Sequence, residues 1–174
     1  MKYRKIIHLD LDAFFCSVEE LFNSNLIAQP FAVGGSPDSR GVVASCSYAA
    51  RKFGVHSAMP MAQALKKCPQ LIVVNPKHRH YSRISSEVMK EVHNLTPLVE
   101  QISVDETFLD VSDMPDSGEK IAKDLQTNIM QKFNLPCSLG VASNKLVAKI
   151  ANNVGKASYS GDLPPNAITV VPPG

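Results

Sequence analysis

Asp10 and Asp12 stand two residues apart in the run Ile6-Ile7-His8-Leu9-Asp10-Leu11-Asp12-Ala13-Phe14-Phe15. A period of two places both on one side of an extended chain. A second acidic pair, Asp105-Glu106, follows in Ser103-Val104-Asp105-Glu106-Thr107-Phe108-Leu109-Asp110. Hard divalent cations take carboxylate oxygens, and phosphate transfer needs such oxygens gathered on a rigid platform. Like charges this close repel unless a cation or a proton intervenes. A pair of magnesium ions is the economical explanation. Taken singly, each acid could equally be a cap or a turn residue. Two acidic pairs on neighbouring strands favour the metal reading.

The elements that must position these acids follow from periodicity. Ile6 to Asp10 reads as a buried strand, and Phe15, Val18 and Phe22 then recur at helical spacing. Residues 23–77 differ in texture. Short apolar pieces (Phe31 to Val33, Val42 to Ala44, Leu71 to Val74) are broken by Gly34-Gly35-Ser36-Pro37-Asp38, Met59-Pro60 and Cys68-Pro69. Short helices are expected over 48–53 and 61–67, so this segment reads as a small inserted subdomain. Beyond Lys77, Tyr81, Ile84, Val88 and Val92 make one helical stripe, and Ile121, Leu125, Ile129 and Phe133 another. Strands are expected at 99–103, 107–111 and 137–142, a third helix at 144–153, and a last short strand at 168–171. Apart from the insertion and the last helix, the order approximates a ferredoxin-like βαββαβ pattern in an α+β protein. Such a sheet sets the first strand beside the central hairpin and brings the two acidic pairs together.

The 174 residues are 44% hydrophobic and 20% charged, an ordinary globular balance that argues against disorder. No apolar run is long enough to span a bilayer, and the N-terminal one is too short for a signal peptide, so a cytoplasmic protein is expected. Cys16, Cys46, Cys68 and Cys137 are scattered with no CxxC pair, which disfavours zinc and a disulfide framework. The net charge of +2 hides an asymmetry: residues 23–77 carry six basic residues and one acid, a net +5, leaving −3 elsewhere. Acids beside a basic segment suit metal ions and a polyanion, although charge alone also fits a solvated lysine face.

Four runs in order, IHLDLDAFFCSVEE, VVASCSYAARKFGVHSAMPM, SVDETFLD and SLGVASNKLVAKIANNVGK, resemble the Y-family of low-fidelity, lesion-bypassing DNA polymerases, and among them the bacterial type. The resemblance extends from Lys5 to Gly174. It implies a palm over 1–22 and 78–166 and inserted fingers over 23–77. It also implies a linker over 167–174 into a thumb that, with the little-finger domain, lies outside this chain. The chain would then be a catalytic core fragment that alone is weakly active or inactive.

By the same resemblance, Asp10 and Asp105 bridge two Mg2+ ions, for which Mn2+ can substitute. Asp12 and the main-chain carbonyl of Leu11 add to the metal set. Glu106 orients the primer end and the nearer metal. The implied reaction is in-line attack of a primer 3′-hydroxyl on the α-phosphate of a deoxynucleoside triphosphate. The implied nucleotide-binding set is Phe14, Phe15, Ala44, Ser45, Tyr48, Arg51 and Lys156. Phe15 is its steric gate against a 2′-hydroxyl, and Phe14 is assigned to packing. Tyr48 and Arg51, three apart, offer a hydroxyl and a guanidinium on one helical face. Ala44, Met59 and Met61 fall where the nascent base pair would be covered, or are ordinary core. Ala49 stands where the family usually has glutamate. Implied partners are primer-template DNA, the triphosphate, and a sliding clamp reached through a later part. Two alternatives stay open: a non-catalytic nucleic-acid- or partner-binding remnant, and another palm-type phosphotransferase such as a nucleotide cyclase. The second leaves Phe15 and SYAARKFG unexplained.

Overall fold

The computed structural model describes residues 3–172. Ile6–Leu11 form β1, whose apolar side chains are buried on both faces of the strand. After α1 (Phe14–Phe22), short elements follow: β2 (Phe31–Gly34), β3 (Val43–Cys46), α2 (Tyr48–Arg51), α3 (Met61–Lys67) and β4 (Ile72–Val74). The long α4 (His78–Leu95) leads to β5 (Val99–Gln101) and β6 (Glu106–Asp110). Then come α5 (Gly118–Phe133), β7 (Cys137–Ala142), α6 (Lys145–Ala157) and β8 (Ile168–Val170).

The chain divides into two compact units. The first comprises residues 1–12, 82–160 and 165–174, and the second 13–81 and 161–164. The first holds a five-stranded sheet of order β5-β6-β1-β7-β8. β1 runs antiparallel to both β6 and β7. Without β8 this is the ferredoxin-like order, with the second hairpin strand beside the first strand. The stripes on α4 and α5 face inward as their spacing requires: Ile84, Val88, Val92, Ile121, Leu125 and Ile129 are buried. Ser117 caps α5 through Lys120 N, and Asn144 caps α6 through Val147 N.

The second unit holds a three-stranded sheet of order β3-β2-β4, antiparallel then parallel. Ala32, Val43, Cys46, Met59, Met61, Ala64 and Leu71 belong to its core.

Three expectations change. Helix α1, expected with residues 1–12, belongs to the second unit because it packs on β2 and β3. Segment 161–164 also joins that unit, through the Lys52–Asp162 ion pair among other contacts. Segment 167–174, which the resemblance implies is a linker, supplies the short strand that its residues predict: β8 pairs in parallel with β7 from Leu139 to Val141. Gly174 itself lies outside the described residues.

Candidate active site

The first unit assembles the acids. In the β1–β6 register, Asp10 faces Glu106 and His8 faces Phe108. Leu11 N donates to the Asp105 carbonyl at 2.9 Å, which fixes the turn carrying Asp105 beside the end of β1. Lys156 sits in the last turn of α6, which runs four residues further than its periodicity suggests. Its ammonium donates to Asp10 Oδ1 at 2.9 Å and lies 3.4 Å from Asp12 Oδ1. One cation thus touches both aspartates, as their shared side of the chain requires. Ala13, directly after Asp12, starts α1 in the left-handed region with φ 43°, a costly backbone state for a non-glycine residue.

Burial pushes the Asp10, Asp12 and Asp105 carboxyls above their ordinary proton affinity. Lys156 pulls Asp10 and Asp12 back, while the Asp10 charge pushes Asp105 further up. Asp10 and Asp105 therefore lie close enough to repel. Ser103 Oγ donates to Asp105 Oδ1 at 2.6 Å. Asp12 is fully buried, and its Oδ2 accepts from Ser138 Oγ at 2.8 Å and Asn166 N at 3.0 Å. This carboxylate ties β7 and the segment before β8 to the end of β1.

Glu106 belongs to a network that sequence reasoning missed. Burial alone would raise its carboxyl, but Lys149 and His8 outweigh that and hold it below the ordinary range. Burial keeps His8 neutral at pH 7 by lowering its proton affinity. A neutral ring has one donor and one acceptor. Nε2–H therefore donates to Glu106 Oε1 at 2.8 Å, and Nδ1 accepts from Asn152 Nδ2 at 2.9 Å. Asn152 also donates to the Ser138 carbonyl. The signal for His8 was available: it precedes Asp10 by two on the same strand. Lys149 and Asn152 carried no such flag.

The second unit presents the other expected residues. Tyr48 and Arg51 share one face of α2, with the guanidinium carbon 4.3 Å from the Tyr48 ring centroid. Arg51 Nε also donates to the Cys46 carbonyl. Ala44 is exposed on β3, and Ser45 is buried beside it. Phe15 is partly exposed on α1. Phe14 is 2% exposed, and its side chain packs in the interior. Met59 and Met61 are core residues.

The acids fit a hard divalent cation in donor type. Among the described residues, no group of three or more His, Cys, Asp or Glu side chains is arranged to hold a metal ion. Magnesium seldom asks for such a group: it takes one or two carboxylates and completes its shell with water and substrate phosphate.

Residues 9–153 match the model of the impB/mucB/samB family. The chain belongs to that family. It is 47% identical to a DNA polymerase IV of Ralstonia nicotianae over 156 residues, which covers 88% of this chain and 44% of the relative. It is 45% identical to a DNA polymerase IV of Clostridioides difficile over 172 residues, covering 97% of this chain and 45% of the relative. The chain spans less than half the length of these family members. The crystal structure of DinB from Sulfolobus solfataricus superposes with a TM-score of 0.87 at 30% identity, covering 96% of this chain and 48% of that one. An insertion ternary complex of Dbh DNA polymerase gives 0.87 at 31% identity, covering 97% and 49%. A chimera described as a Y-family DNA polymerase matches equally well, with a TM-score of 0.87. The Y-family resemblance and its α+β fold are thereby shown. No helix among the described residues is long and apolar enough to cross a membrane.

Proposed function

We propose that the chain is the palm and fingers of a template-directed DNA polymerase of the lesion-bypassing Y-family. The first unit is the palm and the second the fingers. The observation that carries this reading is the pairing of Asp10 with Asp105. They lie 95 positions apart in sequence, yet the Leu11 N bond to the Asp105 carbonyl holds the turn carrying Asp105 beside the end of β1 that carries Asp10. The family match and the DNA polymerase IV relatives support it.

Asp10 and Asp105 are the carboxylates that would hold two Mg2+ ions, with the Leu11 carbonyl and Asp12 as further oxygens. Bound there, such ions would activate the primer hydroxyl and neutralise the departing pyrophosphate. Lys156 stands in as the positive charge on Asp10 and becomes a point charge for the triphosphate. Glu106, oriented by His8 and Lys149, positions the primer end. The Tyr48 hydroxyl and Arg51 guanidinium grip phosphate oxygens, joined by Ser45. Phe15 abuts the sugar and collides with a 2′-hydroxyl, and exposed Ala44 contributes a small surface near the nucleotide. Primer-template DNA and a deoxynucleoside triphosphate are the partners, and a sliding clamp is a further one of the whole protein.

Asp105→Ala tests the assignment in a primer-extension assay of the intact parent protein. Extension is expected to vanish while the circular dichroism spectrum is preserved. Extension at the wild-type rate would refute it.

A further inference from the structure

Glu19 is a buried carboxylate that no step above uses. It follows Phe15 by four residues on α1, so both side chains leave the same helix face. Both its oxygens are engaged. Oε1 accepts from the Tyr81 hydroxyl at 2.7 Å, and Oε2 accepts from the Lys77 ammonium at 2.6 Å. Lys77 and Tyr81 are also four apart, at the start of α4, and Tyr81 N donates to the Lys77 carbonyl.

The contacts form two rungs. In one, the Tyr81 ring stacks on Phe15, with centroids 4.2 Å apart and planes within 15°. In the other, Glu19 ties the far end of that tyrosine to Lys77. His78 meets Phe15 edge-on at 6.1 Å, and Phe14 meets Tyr81 edge-on at 6.5 Å. Tyr81 is 1% and Glu19 2% exposed. Burial, helped by Glu19, raises the proton affinity of the phenol, so its oxygen keeps the hydrogen it donates.

A stacked partner fixes a ring's tilt only when that partner is itself held. The hydroxyl lies at the end of tyrosine farthest from its backbone, where one hydrogen bond has the longest lever on ring pitch. Packing alone would be met by phenylalanine, and burying a hydroxyl with a carboxylate costs free energy unless both are paired. We infer that Glu19, held by Lys77, is a positioning residue for sugar discrimination. It sets the Tyr81 ring, and through it the angle at which Phe15 meets an incoming sugar. The inference rests on Phe15 being the sugar gate.

The test compares kcat/KM for a ribonucleoside and the matching deoxynucleoside triphosphate in primer extension by the protein. The variants are Tyr81→Phe, Lys77→Met and Glu19→Gln, with Phe15→Ala as control. Tyr81→Phe should raise ribonucleotide use about tenfold, the scale of one lost buried hydrogen bond, with deoxynucleotide use about unchanged. Lys77→Met, at a half-exposed side chain, should shift the ratio the same way. Glu19→Gln keeps an acceptor for the Tyr81 hydroxyl and should retain most of the discrimination. A purely structural role would lower thermal stability without moving the ratio, and that result overturns the inference. If Phe15→Ala relaxes discrimination and neither Tyr81→Phe nor Lys77→Met does, the gate stands and the positioning role falls. If Phe15→Ala leaves discrimination intact, the gate reading itself fails, and Glu19 loses its role with it.

Discussion

Lys156 and Asp10 form an ion pair at 2.9 Å, between the last turn of α6 and the end of the central strand β1. Both side chains are largely buried, at 19% and 23% exposure. The pair places a positive charge on the carboxylate expected to hold metal. Removing it should expose a competition. Lys156→Met is expected to lower the stability of the metal-free protein by about 2 kcal/mol, the scale of a charged hydrogen bond. It should also enlarge the stabilisation produced by Mn2+, because Asp10 is then left without its ammonium. Thermal unfolding with and without Mn2+ reads both effects. Equal metal-induced shifts in wild type and variant would contradict the competition.

Asp105 has a folded proton affinity above its ordinary value, owing to burial and then the Asp10 charge. Its protonated form is therefore the one the fold prefers. Its favourable contribution is present at low pH, erodes as pH rises through the ordinary carboxylate range, and is gone above the raised value. Asp105→Asn should accordingly stabilise the metal-free protein at pH 7 and have little effect near pH 3. Glu106 has the opposite sign. Its carboxyl is held low by Lys149 and His8, so Glu106→Gln should destabilise at pH 7 and lose that effect as pH falls through the depressed value. Denaturant unfolding across pH measures both slopes, and parallel pH profiles for the two variants would contradict the assignment.

His8 is fully buried and bonded through both ring nitrogens. His8→Ala leaves a cavity and removes one hydrogen-bond partner each from Glu106 and Asn152, at an expected cost of about 2–4 kcal/mol. Urea unfolding measures the loss. A change under about 0.5 kcal/mol, typical of a surface site, would show that the network carries no weight.

Gly140 on β7 lies where α6 crosses closest. A Cβ there would stand 1.9 Å from the Ala148 carbonyl oxygen and 2.7 Å from Asn152 N, both backbone atoms. Gly140→Ala must push the helix off the strand, and with it Lys149, Asn152 and Lys156. A loss of about 3 kcal/mol or more is expected, read by thermal unfolding. A fully stable variant would mean that α6 can shift freely.

Much of this was legible in the sequence because the decisive signals are local. The apolar pieces at 31–33 and 71–74 became β2 and β4 almost unchanged, since glycine and proline punctuation brackets them. The stripes of α4 and α5 have the regular spacing that a buried face demands. Misreadings arose where tertiary contacts decide. Nothing in Phe14 to Phe22 says that α1 packs on β2 and β3. Ile168 to Val170 reads as a short strand from its residues, but only the open edge of β7 makes it part of the sheet. The Glu106 network was illegible for the same reason: His8, Glu106, Lys149 and Asn152 are spread over three elements that meet only in the folded sheet. The acids stand out in the sequence because two pairs on strands are unusual, whereas Glu19 looks like any helix acid until Tyr81 and Lys77 close on it.

The central claim is that Asp10 and Asp105 share a divalent ion. Anomalous diffraction from crystals of the protein grown with Mn2+ and a deoxynucleoside triphosphate tests it most directly. The expected result is a manganese peak bonded to oxygens of both carboxylates and to the triphosphate. Manganese held by the triphosphate alone, with neither carboxylate bonded to it, would contradict the account.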